Sequence, residues 1–292
     1  VQLPGFTQPG DFAVTNIGEV ENQGVELAVN AGIVETESFS YNASFSGSYN
    51  RNEVTQVRGE PGDFELRGGI EGGFGNFIQI VREGDPVNAF FMFEHRRDEN
   101  GNIIPDDVDT NGDGTVNQLD YYVDRNGDEQ ITTEDRYIAG DPQPDFVLGH
   151  TSSFRYRAFD LSFTMRANIG QQVYNNIASN YGNYSRIAGG SPAVSNLHES
   201  VLETNFTAGR FLSDVYIEDA SFLRMDNITL GYTTNVIPYV NQVRIFGSVS
   251  NAFILTGYFG LDPEIGGNDS RGIDNNIYPR ARTFTTGISV SL

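Results

Sequence analysis

The chain has 292 residues, no Cys, no Trp, 33 Gly, 14 Tyr and 21 Phe, and a formal charge of −21; its 18 basic residues are all Arg. These figures exclude disulfides, zinc-thiolate centres and cysteine nucleophiles, and without Lys no Walker A phosphate loop is possible. A surface this acidic repels nucleic acid, whose capture rests on neutralising phosphates, and no run of about 18 apolar residues supplies a transmembrane helix.

Glycine and aromatic residues set among Ser, Thr and Asn favour strands and turns. Alternation at period two predicts nine strands, near 24–33, 39–51, 77–82, 87–95, 146–156, 158–169, 222–234, 241–254 and 278–292. In the second, Phe39, Tyr41, Ala43, Phe45, Gly47 and Tyr49 share one face, opposite Ser40, Asn42, Ser44, Ser46 and Ser48. In the sixth, Phe159, Leu161, Phe163, Met165 and Ala167 oppose Asp160, Ser162, Thr164, Arg166 and Asn168. The last sets Phe284, Ile288, Val290 and Leu292 against Thr283, Thr285, Gly287 and Ser289.

The connections alternate short and long. The short ones are 34–38, 83–86, the break at Arg157, and 235–240; the long ones are 52–76, 96–145, 170–221 and 255–277. In an up-and-down meander alternate connections lie at one end, so every long loop falls on one side. A soluble β-sandwich would show turn signals every 8–12 residues without this rhythm. Outer-membrane barrels have it, with short periplasmic turns and long extracellular loops. The expected fold class is therefore all-β: an antiparallel up-and-down transmembrane β-barrel. Nine is odd, and single-chain bacterial barrels close with an even count. Residues 1–292 are thus expected to be the C-terminal part of a larger barrel, with 96–145 and 170–221 outside the cell. Val1 to Pro4 read as the interior of a longer chain.

Within 96–145, Asp109-Thr-Asn111-Gly-Asp113-Gly114-Thr115 fits the calcium-loop pattern D-x-[DN]-x-[DN]-G. Ca²⁺ takes six to eight oxygens, which alternate side chains and one carbonyl supply. Asp109, Asn111, Asp113, the Thr115 carbonyl and Asp120 hold the ligand positions. A second copy follows with Asp124, Asn126, Asp128, Gln130 and Asp135, where Glu129 replaces the turn glycine. The alternative is a solvated run of Asx-turns without metal. Where Ca²⁺ binds, its role is structural, since a long exposed loop needs something to offset its ordering entropy.

In 170–221, Tyr181, Tyr184, Arg186 and Arg210 could stack on a sugar or grip a peptide terminus; packing of the loop on itself is the plainer reading. Residues 193–204 are expected to form a short helix, with Ser191 capping and Pro192 at its first position. His95, His150 and His198 are scattered, and the sequence lacks H-E-x-x-H and G-x-S-x-G motifs. Gly68 to Gly75 reads as a loop. No catalytic constellation emerges, so a binding and transport protein is expected, not an enzyme.

Five segments resemble SusC/RagA-type TonB-dependent transporters of Bacteroidota-like bacteria. Asn16-Ile-Gly-Glu-Val-Glu-Asn-Gln-Gly-Val-Glu26 resembles the family's NxGxxENxGxE segment. Gly140-Asp-Pro-Gln-Pro-Asp-Phe146 resembles the stretch before one strand, and Phe159-Asp-Leu-Ser-Phe163 follows as it does there. Phe222-Leu-Arg-Met-Asp-Asn-Ile-Thr-Leu-Gly-Tyr232 is similar to its FLRxxNxTLGY strand, and Tyr278-Pro-Arg-Ala-Arg-Thr-Phe284 to the segment before its last strand. The resemblance implies a 22-stranded plugged barrel in the bacterial outer membrane, importing an oligosaccharide or peptide. It implies a SusD-like surface lipoprotein as lid and energy from the TonB complex through N-terminal parts absent from this sequence. The alternatives are a siderophore-type receptor, without the lipoprotein, and a calcium-stabilised surface adhesin, extractable without detergent.

Overall fold

The computed structural model describes residues 18–57, 62–70, 75–188, 196–235, 240–265 and 272–291. In chain order the strands are β1 (Gly18–Glu35), β2 (Phe39–Val57), β3 (Phe64–Gly69), β4 (Phe77–Arg82), β5 (Ala89–Phe93), β6 (Arg136–Gly140) and β7 (Phe146–Tyr156). They continue as β8 (Phe159–Ile169), β9 (Gln172–Asn175), β10 (Ile217–Asp219), β11 (Phe222–Thr234), β12 (Gln242–Thr256), β13 (Ile273–Asp274) and β14 (Thr283–Ser291).

Seven strands form one antiparallel wall in the order β1-β2-β7-β8-β11-β12-β14. Each is next to its sequence neighbour within the wall, which is the up-and-down topology expected. Directly opposed residues of an antiparallel pair lie on one face, so register carries the alternation from strand to strand. Phe39, Tyr156, Phe159, Tyr232, Ile245 and Ile288 form one continuous apolar row. On the reverse face Asn42, Ser153, Ser162, Thr229, Ser248 and Thr285 form a polar one. The apolar face is uncovered: Leu27 is 58% exposed, Leu230 56%, Phe284 73% and Ile288 68%. The polar face receives the loop residues Asp262 and Glu264, so it is the inner side.

The dimensions suit a bilayer. Strand β7 runs 11 residues from Phe146 to Tyr156. At roughly 3.3 Å per residue and a tilt of about 40°, it spans roughly 25 Å, the height of a barrel's apolar band. Aromatic rings mark both ends: Tyr49 and Phe146 at one, Tyr156, Phe159 and Tyr232 at the other. No helix among the described residues is long and apolar enough to cross a membrane.

The short connections lie at one end. Thr36 N–H donates to Phe39 O at 2.8 Å in the first hairpin, and Arg157 takes the left-handed conformation (φ 54°) in the two-residue turn between β7 and β8. The long connections, 58–145, 170–221 and 257–282, all leave the other end. Their described residues fold together into one cap with a shared core. Ile78, Phe90 and Met92 come from the first, Tyr174, Phe206 and Tyr216 from the second, and Ile273 from the third. Each such side chain, fully buried, contributes about 1.5–3 kcal/mol of transfer free energy.

This corrects the expectation of nine wall strands. The segments at 77–82 and 87–95 do form strands, β4 and β5, but they belong to a separate sheet, β3-β4-β5-β6, inside the cap. The physical reason is burial on both faces. Ile78, Gln79 and Ile80 are all sequestered, as is every residue of Ala89–Phe93, whereas a barrel strand keeps one face lipid-exposed and the other polar. The predicted turn at 83–86 therefore lies in the cap, and 52–76 with 96–145 is one connection instead of two. Wall strand β2 runs on to Val57, and the final strand begins at Thr283 instead of 278. Gly68 and Gly69 lie in β3 instead of a loop, while 71–74 are outside the described residues. Ser191 and Pro192 are outside them too, and the described part of the expected helix is helical only at Val201–Thr204.

Candidate functional site

Two clamps bind the first long connection to the second. Asp106, 3% exposed, accepts from Thr207 N at 2.7 Å, Ala208 N at 3.1 Å and Arg210 Nε at 2.7 Å. The Arg210 guanidinium also lies 4.4 Å over the Tyr121 ring. Nearby, His95 Nε2–H donates to the Ile104 carbonyl at 2.8 Å, and its Nδ1 meets Ser213 Oγ at 3.2 Å. Tyr121, Tyr122 and Phe206 enclose the ring.

Burial lowers the His95 pKa to about 4, against a smaller opposing effect of its bond to Ile104. The folded value lies below the unfolded one of about 6.5. Below pH 6.5 the unfolded chain therefore takes up a proton that the folded cap refuses, and stability falls as pH drops towards 4. The expected loss is about 2 kcal/mol by pH 5. Hydrogen exchange of the cap amides between pH 7 and 5, corrected for intrinsic rates, checks this. His95→Gln keeps a donor for Ile104 and should remove most of the pH dependence.

The tandem acidic segment is two copies of one hydrogen-bond frame. In the first, Asp109 accepts from Gly112 N at 2.7 Å and Gly114 N at 2.9 Å, Asn111 from Asp113 N at 2.9 Å, and Asp113 from Thr115 N at 2.7 Å. In the second, Asp124 accepts from Gly127 N at 2.7 Å and Glu129 N at 2.8 Å, Asn126 from Asp128 N at 3.0 Å, and Asp128 from Gln130 N at 2.9 Å. Gly114 has φ 84°, and Glu129 is forced to φ 62° at the matching place.

Each copy closes on a buried aspartate that caps a helical turn. Asn117 caps α1 (Gln118–Tyr121) while Asp120 accepts from Asn117 N at 2.8 Å and Thr110 N at 2.8 Å. Thr132 and Asp135 repeat the capping box on a 3-10 turn, with Thr132 N donating to Asp135 at 2.7 Å. The Asn117 N–H, foremost, holds the Asp120 carboxyl below its usual range. Burial opposes ionisation of Asp135, yet the N–H groups of Thr132, Arg125 and Asn126 outweigh it. The donors fit Ca²⁺ in kind, being oxygens at alternate positions with left-handed turns between them. Among the described residues no group of three His, Asp or Glu side chains is gathered for a metal, so a cation here would depend on Asn111, Asn126 and the Thr115 and Gln130 carbonyls.

Of the four loop residues singled out for ligand contact, the structure joins two. Arg186 lies 5.1 Å over the Tyr181 ring and donates to Asn180 O at 2.6 Å. Tyr184 bonds Asn205 Oδ1 at 3.4 Å. Arg210 is turned away from them into the Asp106 clamp.

The inner wall carries a charge network that periodicity did not single out. Arg166 reaches Asp226 at 3.0 Å and Glu264 at 2.7 Å, and Arg224, 2% exposed, reaches Asp262 at 2.5 Å and Asn251 at 2.7 Å. Arg280 meets Glu264 at 3.0 Å. The network pins the third long connection to β8, β11 and β12. Its signal in the sequence is an Arg at a polar-face position of strands filled mostly by Ser, Thr and Asn.

No protein-family model matches the chain. Over 99% of its length it is 35% identical to the TonB-dependent receptor SusC of Bacteroides thetaiotaomicron. It is 28% identical over 95% of its length to the TonB-dependent receptor P3 of Formosa agariphila. The chain spans only 28% and 29% of the length of these two relatives. Among solved structures, the RagAB peptide transporter superposes with a TM-score of 0.71 at 22% identity, covering 99% of this chain and 31% of that one. That likeness carries the fold: the open seven-stranded wall is a segment of a larger barrel. The relatives are receptors and transporters rather than enzymes.

Proposed function

Because this chain matches the barrel region of SusC/RagA-type TonB-dependent transporters, we propose that it is the C-terminal part of an outer-membrane importer of an oligosaccharide or peptide. The observation that carries the reading is the two-faced wall. A continuous apolar face meets lipid, a Ser/Thr/Asn face lines the lumen, and all long connections gather at one end into a folded cap. The cap lies outside the cell and meets the nutrient first. A SusD-like surface lipoprotein closes over it, and the TonB complex drives release through the parts of the protein outside this chain. The uncovered apolar face favours a membrane over a surface adhesin, because a contiguous exposed apolar face marks a membrane or protein contact.

The test is gentle detergent extraction of native outer membranes, followed by mass spectrometry of every copurifying chain. A longer polypeptide containing this sequence, with a stoichiometric lipoprotein, supports the importer. The same polypeptide without a lipoprotein supports a siderophore-type receptor. Release without detergent would remove the membrane reading altogether.

The tandem loops are proposed to take Ca²⁺ as a structural ion. Calorimetric titration of the purified protein should give binding heat below millimolar Ca²⁺, and Asp109→Ala with Asp113→Ala should abolish one of the two events. An absence of heat at millimolar Ca²⁺ would leave the loops as Asx-turns held by their own backbone.

A further inference from the structure

A cavity of about 560 Å³ opens in the cap between the second and third long connections. That volume is in the range of sites for small organic ligands. Three carboxylates line it, Glu199, Glu203 and Glu218, and among the described residues no Arg does. Elsewhere the carboxylates of Asp106, Asp160, Asp226 and Asp262 are each met by an arginine. Among the described residues the partners of Glu218 are neutral donors: Asn175 Nδ2 reaches one oxygen at 2.8 Å and Phe259 N–H the other at 2.9 Å.

The imidazole of His198 stands on the cavity wall. Burial lowers its proton affinity, and its Nδ1 faces Ser200 Oγ at 3.0 Å. Burial likewise pushes the Glu218 carboxyl up, and the neighbouring Asp274 and Glu203 charges add to the shift. A cation placed among the three carboxylates would relieve that repulsion. Beside His198, Ser200 and Thr204, the lining is apolar, with Leu202, Val215 and Phe259 among it. The Phe259 ring stands edge-on to His198 at 5.2 Å and is 54% exposed, and Leu202 is 73% exposed. A bare metal ion gains nothing from Leu202 and Phe259, whereas a ligand with an apolar or aromatic body covers them, and an ammonium beside an aromatic face gains further.

We propose that this cavity binds an organic ammonium group attached to an apolar body, with Glu203 and Glu218 facing the charge and Leu202 and Phe259 covering the body. The inference rests on the import reading, for which it names a ligand class. The chemistry fits an amino terminus, a lysine side chain or an amino sugar.

Three probes separate these sources: phenylalanine amide for the amino terminus, Nα-acetyl-lysine amide for the side chain, and glucosamine for the sugar. Each is titrated calorimetrically into the intact detergent-solubilised protein, with N-acetyl-phenylalanine amide as the uncharged twin. At least one amine should bind, the N-acetyl twin at least tenfold more weakly. Glu203→Gln with Glu218→Gln should weaken the amine tenfold or more and leave the twin unchanged. Equal binding of amine and twin, unchanged affinity in the double variant, or no binding of any probe at 10 mM would overturn the proposal. Hydrogen-exchange protection of Tyr174 and Phe206 confirms that the double variant keeps its cap. Copurification with the lipoprotein tests the import reading separately, so the failure of one is distinguishable from the failure of the other.

Discussion

Leu230→Arg is expected to destabilise the folded barrel by about 2–4 kcal/mol, the cost of an arginine on a lipid-facing strand near mid-bilayer. Leu230 is 56% exposed and pairs with Leu161 on one side and Gly247 on the other, within the apolar face. The guanidinium would sit in hydrocarbon with no lumen within reach. Thr229→Arg is the control: one residue away, its side chain points to the opposite face among Ser162 and Ser248. The readouts are urea-dependent folding of the full-length protein into lipid and its level in the outer membrane. Equal loss in both variants would mean that the apolar face does not meet lipid.

Arg210→Ala should loosen the cap without affecting the wall. Its partner Asp106 has a side chain with no solvent exposure, and the ion pair is 2.7 Å long. Removing one member of a buried pair leaves the other charge uncompensated, at a cost of about 3–5 kcal/mol. The N–H groups of Thr207 and Ala208 still hold the carboxylate, which places the loss towards the lower end. Limited proteolysis should open the cap around 96–145 while the wall strands stay protected. Adding Asp106→Asn to the Arg210→Ala variant should recover part of the loss, since it removes the stranded charge. If the single variant keeps native protection, the clamp contributes nothing and ligand contact by Arg210 regains its standing.

The wall was legible because lipid and lumen impose a strict period of two. Phe159 to Ala167 and Ser162 to Asn168 could be assigned to opposite faces from sequence, and the register keeps those faces intact across seven strands. The position of the long loops at one end followed from connection lengths alone. The count did not, because the strand criterion does not ask what a strand is buried against. Ala89-Phe-Phe-Met-Phe93 is apolar at every position, a pattern of burial on both faces that was available in the sequence and pointed away from the wall.

The candidate site divides in the same way. Both acidic frames could be read from residue spacing, since Asp109, Asp113, Asp124 and Asp128 bond backbone N–H groups only two to five residues away in their own turns. Arg210 could not be placed, because its partner lies 104 positions earlier in the chain. The same holds for the cavity whose wall brings Glu218 beside Glu203 and Phe259. By itself the sequence determined local alternation, turn chemistry and the two-faced wall, all set by neighbours along the chain or by the solvent on either side. The tertiary structure decided which distant charges meet, which are left unpaired and that three loops share one core. Those outcomes depend on packing between segments far apart in sequence, and no local period records them.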